Sequence, residues 1–157
     1  MTPAIKALQR ANVPYRLLEY ECGVVEAGFG VEIARKLEID EARVFKTLVA
    51  QTTGGVLVLA VVPVSGRLNL KRLARVVGDK NARLAERAAA ERVTGYVRGG
   101  ITALGTRKRL RVVLDATALC LDRLVVSGGR RGLSIELDPR DFVRAAQAVV
   151  ADVLDPS

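Results

Sequence analysis

A hairpin of two apolar segments near the middle of the chain constrains the fold most. Residues 44–51 (VFKTLVAQ) and 56–62 (VLVLAVV) flank the turn-forming stretch Thr52-Thr53-Gly54-Gly55. Runs rich in valine and leucine around a short glycine-bearing turn are typical of two antiparallel strands. The apolar run from 56 to 64 has strand length and is far too short to cross a membrane. The chain is therefore predicted to contain antiparallel strands, which argues against an all-parallel sheet.

Helix and strand patterns alternate on both sides of this hairpin, with no linker or internal repeat. Thr2-Pro3 is predicted to open a helix, because threonine suits the N-cap and proline the first helical position. Asn69 and Asp138-Pro139 are predicted to open two more. The predicted helices cover residues 3–12, 31–39, 69–77 and 84–92 and a terminal segment that buries Phe142, Ala145, Ala146, Val149 and Val153. The remaining strands are predicted at residues 15–20, 109–115, 123–129 and 132–137. This pattern predicts one mixed α/β domain spanning residues 1–157.

Two features of the composition exclude whole classes of chemistry. Histidine is absent, which rules out Ser-His-Asp and Cys-His triads and HExxH zinc sites. Cys22 and Cys120 form neither a disulfide framework nor a CxxC pair, so no metal or cofactor is indicated. Cys22 is either a small apolar filler or a reactive thiol. Any catalysis must therefore use groups other than histidine.

The charge balance points to a polyanionic partner. There are 25 lysines and arginines against 17 acidic residues, a net charge of +8. Such a field favours RNA or DNA, although it also serves solubility alone. Residues 1–13 have the spacing of an amphipathic helix and not the sections of a signal peptide. We therefore expect a soluble, cytoplasmic protein with no membrane association.

One charge interrupts the first strand of the hairpin. With the two-residue period of a strand, Lys46 lies on the same face as Val44 and Leu48. A lysine there can simply discourage aggregation at an exposed sheet edge, or it can serve an anionic ligand. The pairs Gly99-Gly100 and Gly128-Gly129 leave a similar choice between plain turns and a backbone that closely approaches a ligand.

Four segments in combination carry a resemblance to a known family. They are MTPAIKAL (1–8), VFKTLV (44–49), TGYVRGGITALGTRKRL (94–110) and VSGGRRGLSIEL (126–137). Their order and spacing resemble the YbaK/EbsC family of aminoacyl-tRNA editing domains nearly from end to end. The resemblance is greatest to the free-standing Cys-tRNA(Pro) deacylases of this family.

The resemblance implies both a fold and an activity. The fold would be a mixed sheet curved into a partial barrel and flanked by helices. The activity would be the removal of cysteine from mischarged tRNA(Pro), in a ternary complex with prolyl-tRNA synthetase and without a cofactor. The thiol of the bound cysteine would attack its own ester and leave as a cyclic thioester. Such a route would explain how a protein without histidine can cleave an ester.

The resemblance also assigns site residues. The catalytic group would comprise Lys46, Gly99, Gly100 and Ile101. Further substrate contacts would come from Tyr20, Phe29, Thr47, Thr102, Ser127, Gly128 and Gly129. Separately, the basic segments predict tRNA phosphate contacts at Lys71, Arg72, Arg75, Arg107, Lys108, Arg109, Arg111, Arg130 and Arg131.

Two positions depart from the family pattern. Ala103 stands where members commonly carry proline, which would loosen the loop and could alter substrate choice. Ser134 stands where some members carry an acidic residue. Two alternatives thus stay open: a deacylase that uses water on another small aminoacyl-tRNA, and a non-catalytic module that binds RNA or a synthetase.

Overall fold

The described part of the protein, residues 1–22 and 28–156 of a computed structural model, contains two sheets and five α-helices. The five-stranded sheet has the order β4-β2-β3-β5-β8, and the three-stranded sheet has the order β1-β7-β6. The strands are β1 Arg16–Glu19, β2 Phe45–Thr52, β3 Leu57–Pro63, β4 Ala82–Leu84, β5 Arg111–Asp115, β6 Leu124–Ser127, β7 Leu133–Leu137 and β8 Val149–Ala151. The helices are α1 Pro3–Arg10, α2 Phe29–Leu37, α3 Leu70–Val76, α4 Arg87–Thr94 and α5 Pro139–Ala146.

The central hairpin forms as the sequence predicts. Strands β2 and β3 pair antiparallel, from Phe45 opposite Pro63 to Gln51 opposite Leu57. Strand β5 then adds to β3 in parallel, and β8 adds to β5 in parallel. The five-stranded sheet is therefore mixed, which confirms the predicted α/β class.

The two sheets meet where β2 begins. Val44 bridges to Val125 of β6, whose amide donates to the carbonyl of Arg43. Among the described residues the strands remain two sheets and do not close on themselves. The curvature into a partial barrel therefore stays a prediction.

The main core lies between one face of the five-stranded sheet, α1 and the three-stranded sheet. Phe142, Leu8, Leu59, Leu114 and Ile135 are among its fully buried side chains. A second cluster packs α3 against the opposite face of the five-stranded sheet. A third joins α2 to the junction between the sheets. No helix in the described ranges is long and apolar enough to cross a membrane.

Local capping explains where three helices begin. The side-chain oxygens of Thr2, Asn69 and Asp138 accept backbone N–H groups of α1, α3 and α5. These N-caps satisfy amides that have no partner within the helix. All three predicted helix starts are confirmed.

Two predicted helices are wrong in extent. Residues 82–84 form β4, because they pair with Ala50, Gln51 and Thr52, and α4 begins only at Arg87. The terminal helix ends at Ala146, where Gln147 takes a left-handed conformation (φ 52°). The chain then forms β8, so Val149 is exposed and Val153 is buried beyond the strand. Helix α2 begins at Phe29, two residues before the predicted start, and residues 23–27 between β1 and α2 lie outside the described residues.

Candidate functional site

A pocket of about 430 Å³ opens beside the first half of β2. This volume lies within the range of roughly 300–1,000 Å³ that is usual for small-ligand sites. Strand β2, helix α2, the start of α4 and the loop after α4 form its walls. The lining residues are Phe29, Gly30, Ile33, Phe45, Lys46, Thr47, Leu48, Val49, Leu84, Ala85, Arg87, Ala90, Arg98, Gly99, Ile101 and Ser127.

The pairing of β2 explains why the pocket lies here. Strand β3 pairs with β2 along its whole length, but β4 pairs only with residues 50–52. The carbonyl of Val49 accepts one more bond, from the amide of Ala85, and the neighbouring strand then ends. Residues 45–48 therefore face the pocket at the position where a neighbouring strand would otherwise lie.

Lys46 lies on this open segment and is half-buried. Its two neighbours on the same face of the strand are apolar, since Val44 packs in the α2 cluster and Leu48 in the α3 cluster. The Lys46 ammonium forms no hydrogen bond or ion pair with any described residue. A partly desolvated cation without a protein partner can bind an anionic group of a ligand. The lysine thus lies on the unpaired edge of β2 and lines the pocket that this edge leaves open.

The first glycine pair lies in a tight turn at the pocket wall. The amide of Gly100 donates to the carbonyl of Val97 over 2.9 Å, and Gly99 has φ +92°. The Gly100 amide is thus occupied, although the sequence placed it among the catalytic donors. The amides of Gly99 and Ile101 have no partner among the described residues, and both residues line the pocket.

Phe29, the first residue of α2, lies beside the Gly99 turn and is contacted by two arginines. The guanidinium carbons of Arg131 and Arg98 lie 5.0 and 6.0 Å from the centre of its ring. A Cβ added at Gly99 would lie 2.7 Å from this ring, so only glycine allows such close packing. The start of α2 and the glycine turn are therefore packed together.

Of the remaining predicted substrate contacts, Thr47 and Ser127 line the pocket and four others do not. Thr102 is fully buried, and its hydroxyl accepts the amide of Leu104. Tyr20 packs against the α2 cluster, and burial raises the pKa of its hydroxyl. The carbonyl of Gly128 accepts a hydrogen bond from the Thr2 hydroxyl, and Gly129 packs against Thr2.

The two family departures also lie away from the pocket wall. Ala103 is buried in the main core and lines a different recess, beside Gly105 and Leu110. Ser134 is fully buried, and its hydroxyl has no hydrogen-bond partner among the described residues. Ser134 lies opposite Ser127 in the antiparallel pairing of β7 with β6, and Ser127 lines the pocket.

The predicted RNA-binding residues are distributed over separate surfaces. Lys71, Arg72 and Arg75 belong to α3, on the sheet face opposite Phe45 and Val49. Arg72 already pairs with Asp152 and donates to the Leu154 carbonyl, so its role is at least partly structural. Arg72 is half-buried, and the other predicted residues are exposed. Arg109 donates to Gln147, and Arg130 pairs with Glu19. Arg107, Lys108 and Arg111 lie near Arg109 in the chain.

Sequence reasoning missed two cations of the pocket, Arg87 and Arg98. Both are exposed, and both contact Glu91: Arg87 through its side chain and Arg98 through its backbone amide. The position of Arg98 immediately before Gly99 was a usable signal, but Arg87 lies on a helix whose start was predicted wrongly. Within the described residues, no three His, Cys, Asp or Glu side chains are grouped as a metal site.

Comparison with known proteins identifies the class to which this fold and pocket belong. Residues 30–145 match the family model of the aminoacyl-tRNA editing domain, and the chain belongs to this family. It is thus an editing domain that acts on aminoacylated tRNA as a deacylase.

Individual relatives resemble the chain in sequence or in fold. The chain is 33% identical over 153 residues to EbsC of Enterococcus faecalis, a proposed Cys-tRNA(Pro)/Cys-tRNA(Cys) deacylase, covering 97% of this chain and 92% of that protein. The crystal structure of hypothetical protein APE2540 superposes with a TM-score of 0.87 at 28% identity, covering 98% and 99% of the two chains. A proposed trans-editing enzyme for prolyl-tRNA synthetase shares the fold, with a TM-score of 0.85 at 22% identity and coverage of 98% and 96%.

Proposed function

We propose that the protein removes cysteine from mischarged tRNA(Pro), with Lys46 as the electrostatic centre of the site. The observation that carries this proposal is the Lys46 ammonium, which has no partner among the described residues and shares one pocket with the unpartnered amides of Gly99 and Ile101. A cation and two amides are the groups that stabilise a developing oxyanion. The name of EbsC supports cysteine as the amino acid and tRNA(Pro) as one carrier.

The chemical step uses the substrate's own sulfur. The cysteine thiol attacks its ester carbonyl carbon, and a carbon–sulfur bond forms. The carbon–oxygen bond to the terminal ribose then breaks, and the ribose oxygen takes the proton that the thiol gave up. The products are free tRNA and a cyclic thioester of cysteine. Because the proton moves between two substrate groups, the protein need not supply a histidine base.

The pocket walls fit a small, uncharged side chain. Phe45, Val49, Ala85, Ala90 and Ile101 present apolar surface, and all five belong to the main core or pack against it. An apolar wall excludes water from the reacting ester and strengthens the attraction between Lys46 and the oxyanion. The protein's contribution is therefore positioning and charge stabilisation, which can together supply most of the rate.

A deacylase that uses water on another small aminoacyl-tRNA is the second candidate. The same apolar walls favour it, because they would accept alanine as readily as cysteine. Ala103 gives this alternative no support, since it lies in another recess.

A deacylation panel tests the proposal. The protein is incubated with tRNA(Pro) charged with cysteine, alanine, serine or proline, and the released product is identified by mass spectrometry. We expect cysteine to be removed fastest and to appear first as its cyclic thioester. Rapid release of free alanine or serine would instead establish the water route. A protein inactive on all four would refute the proposed function.

Lys46 variants test the site assignment within the same assay. Lys46→Ala should lower kcat by roughly 10²–10³-fold, the usual cost of losing one oxyanion-stabilising group. Lys46→Arg should rescue poorly, because a planar guanidinium does not replace a compact ammonium. Lys80→Ala is the matched control, since Lys80 is exposed and does not line the pocket. Parent activity in Lys46→Ala would show that this lysine is only a strand residue.

Cys22 is proposed to be dispensable, because the attacking sulfur belongs to the substrate. Cys22→Ala should therefore deacylate Cys-tRNA(Pro) at the parent rate. A folded but inactive Cys22→Ala protein would point to an enzyme thiol as the nucleophile and contradict the substrate-assisted step.

We also propose that exposed cations bind the tRNA backbone and leave the choice of tRNA to prolyl-tRNA synthetase. Phosphate contacts release counterions, so binding should weaken steeply as salt rises. Reversing the charge at Arg107 and Arg109 should lower both the tRNA affinity and its salt dependence. If neither changes, this surface does not bind tRNA. Without the synthetase, activity on cysteine-charged tRNA(Pro) and tRNA(Cys) should be similar.

A further inference from the structure

The turn that carries Gly99 is of a defined type. Val97 and Gly100 close it with a hydrogen bond, and Gly99, at its third position, has φ +92°. Arg98, at the second position, is not among the described residues with positive φ. A negative φ followed by a positive φ defines a type II turn. Type II differs from the commoner type I mainly in the orientation of the middle peptide, here the peptide between Arg98 and Gly99.

A single side chain holds this peptide in the type II orientation. The Nε–H of Arg131 donates to the carbonyl oxygen of Arg98 over 2.8 Å. The peptide is trans, so the N–H of Gly99 points away from that carbonyl and from Arg131. Gly99 and Arg98 line the pocket, whereas Arg131 does not.

Both partners of this hydrogen bond are themselves anchored. The guanidinium of Arg131 packs on the Phe29 ring, 5.0 Å from its centre. The amide of Arg98 donates to Glu91 Oε2 over 2.7 Å, and the same oxygen lies 3.4 Å from Arg87 Nε. Arg98 is therefore held at its N–H by Glu91 and at its carbonyl by Arg131.

We propose that Arg131 is a positioning residue for deacylation, which orients the Arg98–Gly99 peptide so that the Gly99 N–H faces the pocket as an oxyanion donor. The inference rests on the proposed deacylase function and deepens it. Arg131 itself touches neither the ester nor the reacting atoms. The basic segment Arg130-Arg131 predicted phosphate binding from sequence, but the Nε–H of Arg131 is already committed to the Arg98 carbonyl.

Two substitutions separate positioning from phosphate binding. Arg131→Lys keeps the positive charge and loses the Nε donor, whereas Arg131→Met loses both. A positioning role predicts that both variants lower kcat on Cys-tRNA(Pro) by roughly 10- to 100-fold, with KM within about twofold. A phosphate contact predicts instead that lysine rescues and that methionine raises KM in a salt-dependent manner. Arg140→Lys and Arg140→Met are the matched controls on α5, where the arginine is exposed and pairs with Asp138.

Amide hydrogen exchange provides a readout that does not depend on activity. Because the Gly100 amide closes the turn, its hydrogen-exchange rate should rise roughly tenfold in both Arg131 variants. The rate should stay at the parent value in the Arg140 variants. The positioning role would be overturned if the Arg131 variants kept the parent kcat and the parent Gly100 exchange rate, or if only their KM changed. In either case the parent protein would still be a deacylase. An inactive parent would overturn the proposed function and the catalytic role of Gly99 with it. That failure appears in the parent protein and not in the variants, so the two outcomes are distinguishable.

Discussion

The two glycine pairs look alike in the sequence and differ in the structure. Gly99 lines the pocket, and its turn packs against the Phe29 ring. Gly128 and Gly129 do not line the pocket and instead meet the start of α1, where the Thr2 hydroxyl donates to the Gly128 carbonyl over 2.6 Å. The first pair contributes Gly99 to the pocket wall, and the second contacts the N-terminal helix from the turn between β6 and β7.

The same physical property serves both purposes. A Cβ on Gly100 would lie 2.7 Å from the Cα of Arg130, so the two glycine turns are packed directly on each other. A Cβ on Gly129 would lie 2.9 Å from both the Thr2 Cβ and the Tyr96 ring. The absence of a side chain therefore permits close packing at both pairs, and of these four glycines Gly99 lines the pocket.

Gly99→Ala should give the largest effect and separate the two pairs most clearly. Alanine is strained at φ +92° and its Cβ would meet Phe29 and Arg131, so the turn must change shape. We expect kcat on Cys-tRNA(Pro) to fall on the order of 10²-fold, as for a misplaced oxyanion donor. Single-turnover deacylation measures this effect. Activity within threefold of the parent would show that the Gly99 turn does not shape the reaction.

Gly129→Ala should give the opposite profile. The new Cβ would crowd Thr2 and the Tyr96 ring at a positive φ, and such overpacking costs about 2–3 kcal/mol. The free energy of unfolding, from urea titration, should fall by this amount. The kcat of the folded fraction should stay near the parent value, and a large fall in kcat at unchanged stability would contradict the comparison.

Tyr96→Phe tests the packing beside Gly129 with a smaller change. The Tyr96 hydroxyl donates to the Leu104 carbonyl over 2.7 Å, and its loss should cost about 1–2 kcal/mol. Burial also raises the pKa of Tyr96 to about 12. Its contribution to stability is therefore complete below pH 10, the ordinary pKa, and is lost as pH rises from there through 12. Unfolding measured between pH 9 and 12 should lose stability less steeply in Tyr96→Phe than in the parent.

The smallest effect is expected at Glu91, beside the pocket turn. The hydrogen bond from the Arg98 amide is the main cause that lowers the pKa of the Glu91 carboxyl below its ordinary value of 4.5. Its contribution to stability is therefore present above pH 4.5 and is lost as pH falls through the lower, folded-state value. Glu91→Gln should remove this acid dependence in a thermal-unfolding series across the acid range. An unchanged acid profile would mean that the carboxylate does not stabilise the turn.

Local signals predicted the hairpin and the helix starts because they depend on neighbouring residues. The turn between β2 and β3 and the caps at Thr2, Asn69 and Asp138 all form as predicted. The errors occur where distant partners override local preference. Residues 82–84 become a strand because β2 offers an open edge, and residues 149–151 become a strand because β5 does.

The same division holds for the pocket. The resemblance selected Lys46, Phe29, Thr47, Ile101 and Ser127, and the fold places all five around one pocket. It also selected Thr102 and Gly128, which the fold buries away from it. The motifs therefore selected residues that the fold groups around one pocket together with others that it places elsewhere, and their roles in the site stay a prediction.

The sequence by itself determined the mixed α/β class, the family and the lysine of β2 that lines the pocket, because each is encoded in short patterns of neighbouring residues. The tertiary structure alone decided that β4 ends before Lys46, that Arg87 and Arg98 reach the pocket, and that Arg131 bonds to the Arg98 carbonyl. These features depend on contacts between segments far apart in the chain. Their geometry is set by packing and strand pairing, which no local pattern records.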